Sequence, residues 1–142
     1  MKFIHLSEKF YKDYPKALYP EMMLKENRPY TQIVVKIKNM TFAVPLRSNI
    51  SHKNDVIWTD KIKKHGLDFT KAVLILKDEY IKNNHPKIKE YEYKRLIGME
   101  HRAVQKMEKH IENYKKAKNN PHNKYDRMYC EYSTLQYFEE YI

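Results

Sequence analysis

Apolar and polar positions change rhythm three times along this chain. From Tyr30 to Lys38 the residues are rich in Ile, Val and Thr, which suits a strand, and Thr41 to Leu46 reads as its partner. Asn39-Met40 is the short break between them and predicts a tight hairpin. Pro45 is expected to stop the second strand or hold it at an edge, because proline offers no N–H to a ladder. Phe69 to Leu76, FTKAVLIL, is nearly continuous in apolar residues and predicts a well-buried strand.

From Lys87 to Lys118 the period becomes helical. Tyr93, Leu96, Ile97, Ala103, Val104, Met107, Ile111 and Tyr114 recur on one side, predicting one long helix near 87–118. Gly98 inside it costs roughly 1 kcal/mol against alanine. Asn119-Asn120-Pro121 ends it. Shorter signals fill the rest. Lys2 to Leu6 reads as a first strand, and Ser7 caps a short helix that ends before Pro15. Asn54 to Asp68 reads as an irregular excursion anchored by Trp58, Ile62 and Leu67, and Asp78 caps a short helical turn, DEYIKN. Ser133 with Gln136 matches a capping box before a last short helix, Thr134 to Tyr141. Strands followed mainly by helices argue an α+β fold in a single domain, 1–142.

Charge adds a partner class. Lysine and arginine number 28 against 18 acidic residues, a net charge of +10. Such a chain meets a polyanion, or else carries its lysines for solubility. Thirteen tyrosines sharpen the first reading, since aromatics among cations stack bases while the cations hold phosphates. Arg95, Arg102, Lys106 and Lys109 share a stripe on the long helix. That stripe is either an RNA-binding face or a solvated one, because Glu100, Glu108 and Glu112 are interspersed. The single cysteine, Cys130, has no internal partner, which fits a reducing compartment. The seven histidines show no metal-ligand spacing, so no metal or other cofactor is expected. No apolar run approaches the ~20 residues of a spanning helix, and MKFIHLSEKF has no apolar signal core. The expectation is a cytoplasmic chain with no membrane or lipid partner.

Candidate chemistry concentrates after the hairpin, at Arg47, Ser48, Ser51, His52 and Lys53. Cleaving RNA without a metal needs a base for the 2′-hydroxyl, an acid for the leaving 5′-oxygen and cations for the charged phosphorane. Arg28 and Arg47 could clamp phosphate, and Ser48 and Ser51 could hydrogen-bond it. His52 could move the proton, with Lys53 or Tyr30 supplying charge or a second proton. The blander alternative is a loop of surface cations and turn serines.

These residues resemble a family. MKFIHLSEKFYKDY is similar to the opening "MKFY-x-(I/L)-s-x-x-Y-x-x-(Y/F)" of the toxin endoribonucleases of type III toxin–antitoxin systems, the ToxN/AbiQ and CptN/TenpN group. Arg28-Pro29-Tyr30 leads into the strand as in that family. Phe42-Ala43-Val44-Pro45-Leu46 followed by Arg47-Ser48 resembles its "(Y/F)-x-(A/V)-P-L-(T/S)-S". Phe69 to Leu76 and the tail, with Cys130-x-Tyr132 and Leu135, fit as well, and the short chain resembles the CptN/TenpN branch most.

The resemblance implies a compact, curved antiparallel sheet, a MazF/Kid-like half barrel wrapped by helices. It implies a metal-independent, sequence-selective endoribonuclease that leaves a 2′,3′-cyclic phosphate and serves in phage defence. A small pseudoknot-repeat antitoxin RNA would inhibit it, toxin and RNA alternating in a closed hetero-oligomer. The family's serine falls on Ser48 and its basic residue on Arg28. Its threonine is Arg47 here and its lysine position is Ile50, so His52 or Lys53 would take over proton transfer. A basic RNA-binding module without catalysis is the alternative function.

Overall fold

The computed structural model describes residues 1–22 and 30–142. Arg28, a predicted site residue, lies outside them. The architecture is α+β. An antiparallel sheet of β1 (Phe3–Ile4), β2 (Gln32–Ile37), β3 (Met40–Arg47), β4 (Val56–Asp60), β5 (His65–Asp68) and β6 (Val73–Leu74) is joined to helices α1 (Glu8–Asp13), α2 (Glu90–Leu96), α3 (Glu100–Lys118) and α4 (Lys124–Tyr132). The strand order is β1-β2-β3-β5-β4, and β6 also pairs with β3.

The expected hairpin forms as β2–β3, with Ile37 opposite Met40. Its turn is Lys38-Asn39, one residue earlier than expected, and Lys38 takes a left-handed conformation with φ 53°. Pro45 neither ends β3 nor puts it at an edge. The Leu46 N–H donates to the Thr31 carbonyl, so alternation turns the Pro45 nitrogen to the opposite side. There β3 changes partner: Phe42 and Ala43 pair with β6, Leu46 and Arg47 with β5. Proline occupies the gap, where no ladder bond is lost.

The stretch expected to be irregular is instead the β4–β5 hairpin. Val56, Ile57, Trp58 and Thr59 have the branched and aromatic character of a strand, and Leu67 is fully buried. Ile62 is no anchor; it is 95% exposed at the turn. Gly66 lets the two strands close, since a Cβ there would stand 2.5 Å from the Ile57 carbonyl oxygen. The expected strand 69–76 is divided. Asp68 caps a 3-10 turn over Phe69–Lys71, and only Val73–Leu74 pair.

The single long helix expected over 87–118 is also divided. Gly98 adopts φ 79°, outside the right-handed region, and α2 ends before it while α3 starts after it. Tyr93 and Ile97, predicted to face inward, are exposed, whereas Leu96, Ala103, Met107, Ile111 and Tyr114 are buried. The core lies between the sheet and α3, filled by Phe10, Ile33, Val35, Phe42, Phe69, Met107 and Phe138. The Ser7 and Ser133 caps form as expected. A turn forms over Asp78–Tyr80, but Asp78 is its first residue and Lys77, without a side-chain bond, takes the cap position. The last element is a 3-10 turn over Thr134–Tyr137, shorter than the helix expected to Tyr141. Gln136 does not complete the capping box; its amide donates to the Glu131 and Ser133 carbonyls. No helix among the described residues is long and apolar enough to cross a membrane.

Candidate active site

Asp68 ends β5 and is wholly buried. A buried carboxylate needs donors, because desolvation penalises its charge. Its Oδ1 accepts the Thr70 N–H at 3.0 Å and the Thr70 hydroxyl. Its Oδ2 accepts from Arg47 Nη1 and from His52 Nε2 at 3.0 Å. Burial raises the Asp68 pKa, but the hydrogen bonds from His52 and Thr70 and the nearby charges outweigh it and hold the group below the usual carboxylate value.

Each donor is delivered by a local device. Arg47 is the last residue of β3 and pairs with Gly66. His52 rides a short loop fixed at both ends. Ile50 is buried, and its N–H donates to the Lys64 carbonyl at 3.0 Å. Asp55, at φ 49°, is tied to α3 and α4. The Asn54 N–H donates to His52 Nδ1 at 3.1 Å, so the ring proton sits on Nε2 and points at Asp68. Burial disfavours the Arg47 charge, yet Asp68 and Tyr132 outweigh this and raise its pKa. The Arg47 Nε is buried without an acceptor among the described residues.

Lys71 completes the constellation. It is 5% exposed, donates to the Tyr132 carbonyl at 2.8 Å and lies 3.5 Å from the centre of the Tyr132 ring. Burial pushes its pKa down to about 8; Asp68 raises it and Arg47 lowers it further. Thr134 locks this turn by donating to the Thr70 and Ala72 carbonyls. His52 meets the edge of Tyr132 at 5.2 Å between ring centres.

A second polar network supports the loop from behind. His110 is fully buried; its Nδ1 lies 2.8 Å from Asp55 Oδ2 and 2.7 Å from the Tyr129 hydroxyl, and its Nε2 lies 2.9 Å from Ser133 Oγ. An Asp–His–Ser alignment of this kind serves acyl transfer when the serine is accessible. Ser133 is wholly buried, and its oxygen also accepts the Leu135 N–H at 3.2 Å. The network is therefore an internal tie between the His52 loop, α3 and α4.

The site opens onto a groove of about 980 Å³ walled by α3 and α4, with Ser51, His52 and Thr70 at one end and Tyr125, Tyr129 and Tyr132 along it. A smaller cavity of about 260 Å³ holds Tyr30, Arg47, Ser48 and His65. The predicted residues thus separate. Arg47 and His52 meet at Asp68. Ser51 is exposed on the groove, Ser48 and Tyr30 line the smaller cavity, and Lys53 is exposed outside both.

The cationic stripe does not reach the groove. Arg95 belongs to α2 and is cut off from the rest by the break at Gly98. Arg102 Nη1 lies 3.9 Å from the Met99 sulfur, Lys106 acts electrostatically on Asp55, and Lys109 stands 3.7 Å from Glu112. Lys116 is the α3 lysine that lines the groove.

Asp68, Thr70, Lys71 and Tyr132 were not anticipated. Two had a signal: Asp68 with Thr70 is an aspartate cap pattern, and Lys71 is a lone cation in an apolar run. Comparison with protein-family models, with curated proteins and with solved structures returned no match to this chain.

Proposed function

We propose that this chain is a metal-independent endoribonuclease acting at the Asp68 cluster. The observation that carries the reading is the pairing of Arg47 and His52 on one buried carboxylate, with His52 at the end of a groove lined by tyrosines. In this mechanism the substrate 2′-hydroxyl displaces the Asn54 N–H from His52 Nδ1 and gives its proton to that nitrogen. Asp68 holds the opposite N–H and stabilises the imidazolium that forms. Arg47, on the smaller-cavity side of Asp68, holds the carboxylate that orients His52 and offsets the phosphorane charge through space. Lys71, its pKa pushed down to about 8, gives up a proton more readily than an ordinary lysine and is the acid for the leaving 5′-oxygen. The products are a 2′,3′-cyclic phosphate and a 5′-hydroxyl. Both Asp68 oxygens already accept hydrogen bonds, so the carboxylate is a poor ligand for a divalent ion. No group of three or more His, Cys, Asp or Glu residues among the described residues could hold a metal.

The resemblance to type III toxins supplies the biological half of the proposal. The sheet would be the family's MazF/Kid-like half barrel, and a pseudoknot-repeat antitoxin RNA would lie across the groove and block it in a closed toxin–RNA assembly in the cytoplasm. Expression of the chain alone should slow bacterial growth, and co-expression of a tandem-repeat RNA encoded beside its gene should restore it. Unimpaired growth on expression of folded protein would remove the toxin role.

One observation favours a non-catalytic RNA-binding module: both His52 ring nitrogens are already engaged. A binder loses affinity gradually with each substitution. An enzyme loses turnover abruptly at His52 and Asp68.

A further inference from the structure

We propose that the groove between α3 and α4 seats unpaired nucleotides, with Tyr125 and Tyr132 as stacking platforms, so that the substrate class is single-stranded rather than duplex RNA. This rests on the RNA-cleavage reading of the same site. Helix α4 buries none of its residues, although it carries Tyr125, Met128, Tyr129 and Tyr132. Tyr125 is 79% exposed, Met128 54% and Tyr132 39%, and all three line the groove. A helix that shows this much aromatic surface to solvent, on the wall of a cavity ending at His52, presents faces for planar ligands.

The polar lining says which ligands. Asn120 and Asp126 lie on the lining, the Asn120 amide donating to Asp126 at 2.8 Å. Glu21 and Glu131 add carboxylates to the wall. With Asp126 these carboxylates disfavour phosphate along the wall and favour base edges with amino donors. The cationic groups on the lining sit at its edges instead: His52 beside Asp68, and Lys116 on α3. A strand whose phosphates follow the rims and whose bases turn inward satisfies both sets. Duplex RNA cannot do so, because its bases are already stacked and paired. The volume, about 980 Å³, holds a few nucleotides rather than one.

The test is binding of a fluorescent 2′-O-methyl hexanucleotide of mixed sequence, which cannot be cleaved, measured single-stranded and annealed to its complement. The single strand should bind at least tenfold more tightly. Tyr125→Ala should weaken single-strand binding roughly 5- to 150-fold, Tyr125→Phe should restore it, and Tyr141→Ala, outside the groove, should change nothing. Equal affinity for duplex and single strand, or indistinguishable Tyr125→Ala and Tyr141→Ala proteins, would overturn the inference. Because this readout needs no turnover, a protein that binds in this pattern but never cleaves would refute the nuclease reading and leave the groove standing. A protein that cleaves but is indifferent to Tyr125→Ala would do the reverse.

Discussion

Arg47 and His52 meet at a single carboxylate oxygen, Oδ2 of Asp68. Two basic groups from the two ends of one loop are thereby held side by side, and neither could keep its position in a buried setting without that oxygen. Asp68→Asn keeps the shape but removes the charge that compensates Arg47. Breaking a buried pair in this way costs about 3–5 kcal/mol. The variant should show a clear loss in urea unfolding and a loss of cleavage larger than its loss of RNA affinity.

His52→Ala tests chemistry with less damage to the fold, because His52 is only partly buried. Removing a general base lowers turnover about 10²–10⁴-fold. The expected result is that loss in single-turnover cleavage with thermal stability nearly unchanged. Ser48→Ala should be far milder, since Ser48 is exposed and lines the other cavity. A Ser48→Ala protein as inactive as His52→Ala would move the chemistry to the smaller cavity.

Lys71 has a distinctive signature as the acid. Lys71→Met should cripple cleavage of natural RNA yet spare a uridine 3′-phosphate ester with a nitrophenol leaving group, which departs without a proton. Equal losses on both substrates would exclude Lys71 from leaving-group protonation.

The same lysine makes stability depend on pH. Its folded pKa of about 8 lies below the ordinary lysine value of 10.5. Between those values the unfolded chain binds more protons, so stability rises with pH from about 8 upward. Tyr80, Tyr114 and Tyr129, whose pKa values are raised chiefly by burial, contribute stability that is whole below the ordinary tyrosine value. Above the ordinary tyrosine value of 10.0 they take stability away again as the unfolded tyrosines ionise. Thermal melts between pH 8 and 10 should therefore rise in the wild type and flatten in Lys71→Met.

How much of this was legible follows from where the causes lie. The β2–β3 hairpin is written in local residue types, and so are the Ser7 and Ser133 caps. The β4–β5 hairpin was hidden, because its polar Lys61–Lys64 turn and short strands look irregular until Gly66 closes on Ile57. The break at Gly98 was visible as a weak position, but its positive φ is a choice made by packing α2 and α3 separately. Arg47 and His52 could be picked out as candidates. Their partner could not, since Asp68 lies on another hairpin and is brought in by the pairing of β3 with β5. The cationic stripe is cut at Gly98, and helical spacing places charges on one face without saying whether that face borders a groove.

Gly66 gives a purely structural check. A Cβ at this position meets Ile57 backbone 2.5 Å away, and overpacking of this kind costs about 1–3 kcal/mol. Gly66→Ala should lower the melting temperature and, by shifting β5, weaken cleavage through Asp68.

The central claim is that the Asp68 cluster cuts RNA using only protein groups. Purified protein should be incubated with RNA in EDTA and the new ends identified, with His52→Ala beside it. Wild-type protein should cleave to 2′,3′-cyclic phosphate and 5′-hydroxyl ends, and the variant should not. Strict dependence on added magnesium, or products with 5′-phosphates, would contradict it.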